Sequence, residues 1–277
     1  MKKPHIPLFP TLKTLIPDSS AAQVSRHQAL VSLKFHDYWN ARGKRAFWVT
    51  QYMGYTIGSV LAPFCHRAGF SPNTVTVMSL LTAVLAVVPV ACDLFPGSTS
   101  AGLYLGAMLL VSFGLDCSDG ILARVTRQSS PFGQLWDKLL DLLSLYVIGI
   151  VCGFAARNSP PAIPLIADYW DIAFPLLLMW SVTPKTVFSV FGWLKDQQLN
   201  NMSRVADAKQ LSGLDYARRI AGNLVDEPVF RLGVGISWMM GLYWEYIIFY
   251  HGIVAAMCTL YVADTWWKLT RNPTATD

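Results

Sequence analysis

The chain has 277 residues, of which 53% are hydrophobic and 14% charged, with a mean hydropathy of +0.37. That balance excludes an average soluble domain, and apolar segments of membrane-spanning size recur through most of the length. The net charge of +5 is concentrated in particular loops, which points to membrane topology and to no nucleic-acid partner.

Residues 1–20 are Pro-rich and read as irregular, and they do not resemble a cleaved signal peptide. From Ala21 to about Arg45, Val24, Leu30, Leu33, Phe35 and Trp39 recur at helical spacing. This predicts an amphipathic helix, lying either on the cytoplasmic membrane surface with Arg42, Lys44 and Arg45 towards anionic headgroups or on the protein's own cytosolic face. The stretch from Phe47 to about His66 is apolar but interrupted by Gly and aromatics, so it reads as interfacial or re-entrant.

Six spans follow, over about 74–91, 101–124, 132–155, 172–193, 229–242 and 247–268. Pro175 and Pro184 are expected to kink the fourth, and Tyr243-Trp244-Glu245 to form the turn between the last two. With the N-terminus inside, every one of the 22 Lys and Arg except Arg157 falls on a cytoplasmic segment or helix end. Trp48, Tyr52, Trp170, Trp193, Trp244, Trp266 and Trp267 suit interfacial belts. The expected fold is therefore all-α and polytopic. It has a cytoplasmic N-terminal region over 1–46, a membrane domain over 47–270 and a short tail over 271–277. The five cysteines form no C-x-x-C pair and read as buried reduced thiols, and the five histidines lack ligand spacing.

Within this apolar pattern, one stretch carries four carboxylates. It reads Asp116-x-x-Asp119-Gly120-x-x-Ala123-Arg124, then, past a polar loop, Gly133-x-x-x-Asp137-x-x-x-Asp141. On a helix, Asp116, Asp119, Gly120 and Ala123 share an arc of roughly 100°, and Gly133, Asp137 and Asp141 follow one slowly turning stripe. Each charge inside a membrane segment costs about 3 kcal/mol on the lower scales, so a purely structural account of four is weak. If the two helices form an antiparallel hairpin the carboxylates can meet, and they then need protonation, a paired cation or a bridging metal ion. Hard divalent ions with oxygen ligands neutralise such a group best.

The complete D-x2-D-G-x2-A-R-x8-G-x3-D-x3-D pattern resembles the signature of the CDP-alcohol phosphotransferase (CDP-alcohol phosphatidyltransferase) family. Ser71-Pro72-Asn73-Thr74-Val75-Thr76 is similar to the segment that opens the first membrane helix in many members. The resemblance implies a membrane transferase that moves a substituted phosphoryl group from a CDP-alcohol, most commonly CDP-diacylglycerol, to the hydroxyl of a second alcohol, releasing CMP. It further implies two divalent cations, Mg2+ or Mn2+, on Asp116, Asp119, Asp137 and Asp141, with Asp141 also the general base. Asn73, Asp119, Gly120, Ala123, Arg124 and Gly133 would bind the nucleotide. For the small residues helix packing is the competing account, for Asn73 a helix cap and for Arg124 a positive-inside anchor. Lys138, Lys185, Arg218 and Arg219 are candidates for gripping the acceptor, with a solvated loop the alternative for the two loop arginines. A homodimer in a bacterial inner membrane is implied, with active site and both termini cytoplasmic. Two alternatives stand: transfer from a soluble CDP-alcohol to a membrane lipid or glycan, and a proton-coupled transporter. The transporter would spread its acidic residues along a path across the bilayer, whereas these cluster at one depth.

Overall fold

The computed structural model describes residues 33–43, 48–187, 190 and 226–271. Among them the secondary structure is entirely helical, with no strand. In chain order these are α1 (Phe35–Asn40), a π-turn (Thr50–Gly54) running into α2 (Tyr55–Arg67), α3 (Pro72–Ala91), α4 (Ser98–Val125), α5 (Pro131–Ala155), α6 (Pro164–Asp168), α7 (Trp170–Trp180), α8 (Glu227–Met240) and α9 (Tyr243–Arg271).

Three of these, α3, α4 and α5, are long and apolar enough to cross a membrane, with mean hydropathies of 2.2, 1.5 and 1.8. Their boundaries fall within three residues of the first three expected spans. α3 and α5 begin alike: a serine cap accepts a hydrogen bond from a backbone N–H three residues on, Thr74 N to Ser71 Oγ at 3.2 Å and Gly133 N to Ser130 Oγ at 3.0 Å. Pro72 and Pro131 then occupy the first helical position, where a missing N–H costs nothing.

α4 is the centre of the bundle and packs against α3, α8 and α2. The α4–α8 crossing is close because glycines meet there: a Cβ on Gly235 would lie 2.5 Å from the Gly106 Cα. Leu105 and Leu109 of α4, Val87 of α3, Ile148 of α5, Val234 of α8 and Trp244 of α9 belong to one buried core. Large apolar side chains point outward from α3 (Leu81, Leu85), α5 (Leu139, Leu143) and α7 (Leu176, Met179), as a lipid-facing surface requires.

Several expectations are corrected. α4 and α5 do not pack tightly on each other as a hairpin; each rests on α3, which leaves a gap between the two. The segment after Phe47, expected to be interfacial or re-entrant, is a short helix that is not among the three of membrane-spanning length, and its Gly54 and Gly58 admit Phe113 and Cys117 of α4. The fourth segment ends as a helix at Trp180 and resumes over 183–187, the break falling where Pro184 would clash with the carbonyl four residues earlier, while Pro175 is carried without a break. Tyr243, Trp244 and Glu245 form the first turn of α9, and the chain reverses instead at Gly241, which adopts the left-handed conformation at φ 70°. Trp244 is buried, donating from Nε1 to Ala156 O at 3.0 Å, and is no belt residue. Cys92 is exposed.

Most of the expected N-terminal amphipathic helix lies outside the described residues. Its described part, α1, is docked on the protein by a Tyr38 Oη to His66 Nδ1 hydrogen bond. Arg42 folds over the Trp39 ring, 3.6 Å from its centroid, rather than reaching outward, and Lys44 and Arg45 lie outside the described residues.

Candidate active site

At 28 residues, α4 extends about 42 Å, against a hydrocarbon core of about 30 Å. Its C-terminal turns, at the edge of the bundle where the loop to α5 begins, carry Asp116, Asp119 and Arg124. α5 starts at the same edge, so Asp137 and Asp141 enter the bundle on the opposite side of the gap.

The aspartates converge. Asp116, Asp119 and Asp137 each present a carboxylate oxygen within 4.8 Å of the others. Asp141, one turn along α5 from Asp137, stands beside this group of three and is held by Lys138. Lys138 Nζ lies 2.6 Å from Asp141 Oδ2 and 3.8 Å from Asp137 Oδ2. Lys138 thus pairs with the two carboxylates of α5, and the hard acceptor-only oxygens of Asp116, Asp119 and Asp137 at this spacing suit a divalent cation. The donor set therefore fits the ions that the sequence pattern implies.

A cleft of about 190 Å³ opens beside the carboxylates. Asn73, Asp119, Gly120, Ala123, Arg124 and Gly133, the six residues expected to bind nucleotide, all line it. Asn73 Oδ1 would lie 3.5 Å from a Cβ on Gly133, which shows how closely the capped starts of α3 and α5 approach across the opening. Both helix N-termini therefore lie at the same opening, and the positive ends of their dipoles favour phosphate there. Arg124 donates from Nε to the Ala41 carbonyl and so ties the N-terminal segment to the rim of the cleft.

The acceptor candidates are dispersed. Lys138 is inside the carboxylate group. Lys185 is buried in the bundle, with Nζ 3.1 Å from the Tyr250 hydroxyl, and does not line the cleft. Arg218 and Arg219 lie outside the described residues.

Two features escaped the reading of the sequence. Thr76, the last residue of the segment that opens α3, donates its hydroxyl to Asp119 Oδ2; its position three residues after Asn73 could have placed it at the cleft. Glu227 and Arg231, at i,i+4 spacing on α8, form an ion pair at 2.6 Å in which the arginine is buried and the glutamate half-buried. Charges four apart in an apolar segment are a legible signal, and they were absorbed into the boundary of a span.

Fold and site together define an all-α integral membrane protein in which an acidic cluster opens onto a polar cleft at one end of the bundle. Residues 70–203 match the CDP-alcohol phosphatidyltransferase family, so the chain carries a domain of that family. Among its relatives, phosphatidylinositol phosphate synthase of Mycobacteroides abscessus is 27% identical over 195 residues, covering 66% of this chain and 72% of the relative. Archaetidylinositol phosphate synthase of Pyrococcus horikoshii is 31% identical over 115 residues, covering 41% of this chain and 55% of the relative. An uncharacterized CDP-alcohol phosphatidyltransferase class-I family protein of Dictyostelium discoideum is 30% identical over 114 residues, covering 40% of this chain and about a quarter (26%) of the relative.

Proposed function

We propose that the protein transfers a phospho-alcohol group from CDP-diacylglycerol to the hydroxyl of a small polar alcohol, releasing CMP, as a step of phospholipid synthesis. The observation that carries this reading is the convergence of Asp116, Asp119 and Asp137 within 4.8 Å beside a cleft lined by Asn73, Gly120, Ala123, Arg124 and Gly133. Two relatives are named for lipid products, a phosphatidylinositol phosphate and an archaetidylinositol phosphate, which supports a lipid-linked donor and makes a phosphorylated polyol the first acceptor to try.

Two divalent ions, Mg2+ or Mn2+, held by Asp116, Asp119, Asp137 and Asp141, would neutralise the diphosphate and hold it for in-line displacement. The chain's own groups supply the rest. Gly120, Ala123 and Gly133 leave room for the nucleotide to approach the helices, and Asn73 and the N-termini of α3 and α5 face its phosphates. Asp141 takes the proton of the attacking hydroxyl, which requires Lys138 to swing away from the carboxylate oxygen it now holds. The six-span topology, with the cleft and both termini in the cytoplasm of a bacterial cell and two copies per functional unit, completes the reading.

Purified protein given CDP-diacylglycerol and a panel of polar alcohols, inositol phosphate included, should release CMP and form a new lipid. Asp116→Asn and Asp137→Asn should each lower turnover by about a hundredfold to a thousandfold, as loss of a charge-stabilising group does. Excess chelator should stop the reaction, and added Mg2+ or Mn2+ restore it. CMP release that continues in chelator would remove metal from the chemistry; CMP release with only a soluble CDP-alcohol would move the lipid to the acceptor side.

A further inference from the structure

Beneath the carboxylates lies a polar group that neither the motif nor the cleft accounts for. Arg231 of α8 is fully buried, and its guanidinium reaches two other helices at once. Nη1 donates to Ser112 Oγ of α4 at 2.6 Å, and Nη2 to Ser144 Oγ of α5 at 3.0 Å. Glu227 fixes the near side, accepting from Nε at 3.1 Å and from Nη2 at 2.6 Å. Ser112 is in turn locked to α3: its hydroxyl donates to Ser79 O and the Ser79 hydroxyl to Ser112 O, both at 2.8 Å.

The positions of these serines matter. Ser112 is four residues before Asp116, and Ser144 is three after Asp141. Each serine therefore sits one helical turn from a carboxylate and on nearly the same face. Since α4 and α5 rest on α3 and leave a gap between them, the planar fork of Arg231 is what spans that gap directly below the acidic cluster. A guanidinium suits this because its donors diverge at fixed angles, whereas an ammonium on a flexible stem would hold no set separation. Burying such a charge is costly unless every donor is used, and here its nitrogens bond to groups on α4, α5 and α8.

We infer that Arg231 is a positioning residue, a strut that sets the spacing between the aspartates of α4 and those of α5 and so the geometry of the cation site. This rests on the metal-dependent reading above. Arg231 touches neither cation nor substrate; it acts through the two helices that it holds apart and together.

The test is Mn2+ binding to the full chain without substrate, followed by electron paramagnetic resonance of the free ion, alongside thermal unfolding. Arg231→Lys keeps the charge but loses the fork. It should bind Mn2+ about tenfold to a hundredfold more weakly, the usual effect of removing a partner that orients ligands. Turnover should fall through kcat more than through KM for the CDP-alcohol. The milder Ser112→Ala/Ser144→Ala double variant keeps Arg231 and its ion pair with Glu227. It should reproduce the loss in part, and combining it with Arg231→Lys should add little beyond Arg231→Lys alone, since both remove the same bonds. A folded Arg231→Lys protein, or a folded double-serine variant should Arg231→Lys fail to fold, that binds Mn2+ as the parent does would overturn the strut. If the parent itself binds no Mn2+, the metal reading fails and the inference goes with it, a result distinct from parent and variant binding alike.

Discussion

At the residue scale, the site is a contest between cations for oxygen. Lys138 lies 2.6 Å from Asp141 and 3.8 Å from Asp137, so a divalent ion entering the group must displace an ammonium from a charge-assisted hydrogen bond. Replacing Lys138 by Met removes that competitor and leaves the local field more negative. Mn2+ should then bind several-fold more tightly at constant ionic strength, while the metal-free protein melts at a lower temperature because its carboxylates have lost a counter-charge. The two effects together widen the stabilisation that Mn2+ confers. Unchanged or weaker Mn2+ binding in the variant would show that Lys138 is no rival of the ion, and would favour a role on the acceptor instead. The aspartates could be read from sequence because their cost in an apolar helix is local and their spacing fixes a shared face. For Arg231 the sequence offers only its i,i+4 pairing with Glu227. Its meaning depends on Ser112 and Ser144, 119 and 87 positions away, and no local pattern announces so distant a partnership.

At the scale of elements, glycine decides how near the central helix its neighbours come. The α4–α8 crossing is asymmetric in a testable way. A Cβ on Gly235 would collide with Gly106 backbone, 2.5 Å from Cα and 2.8 Å from N, whereas a Cβ on Gly106 would meet only the Gly235 Cα at 3.6 Å, an ordinary contact. Gly235→Ala should therefore push α8 from α4 and cost about 1–3 kcal/mol of stability, the range for overpacking. Gly106→Ala should be neutral or mildly stabilising through its helix propensity. Thermal unfolding in detergent measures both, and equal melting points for the two variants would contradict the packing described. The same physics explains why the segment after Phe47 reads as interrupted. Gly54 and Gly58 look like helix breakers in a short apolar stretch, yet each is where a helix must admit a side chain of α4: a Cβ on Gly58 would stand 2.9 Å from Cys117 Cβ. Pro184, by contrast, was legible as a break because its ring acts on its own helix.

At the scale of the whole molecule, the two ends of the bundle differ in charge and therefore in the water they face. Arg67, Arg124 and Arg127 flank the end that holds the cleft, while Asp93, Arg157, Asp168, Asp171 and Glu245 flank the other. By the positive-inside rule the three arginines support the proposed cytoplasmic cleft, on the side where soluble cytidine nucleotide is found. A native reporter exists for the opposite side. α3 runs for 20 residues, about 30 Å, from the cleft at Asn73 to its C-terminal cap at Cys92. Cys92 is the exposed cysteine, Cys65, Cys117 and Cys152 are buried, and Cys258 is half-buried. A membrane-impermeant maleimide should thus label intact right-side-out vesicles at Cys92 and lose that label in Cys92→Ser. A Gln128→Cys substitution at the cleft, made in the Cys92→Ser background, should label only in inverted vesicles. Labelling of Cys92 from the cytoplasmic side would turn the bundle over, set the cleft facing away from the nucleotide supply, and leave the proposed reaction without its donor.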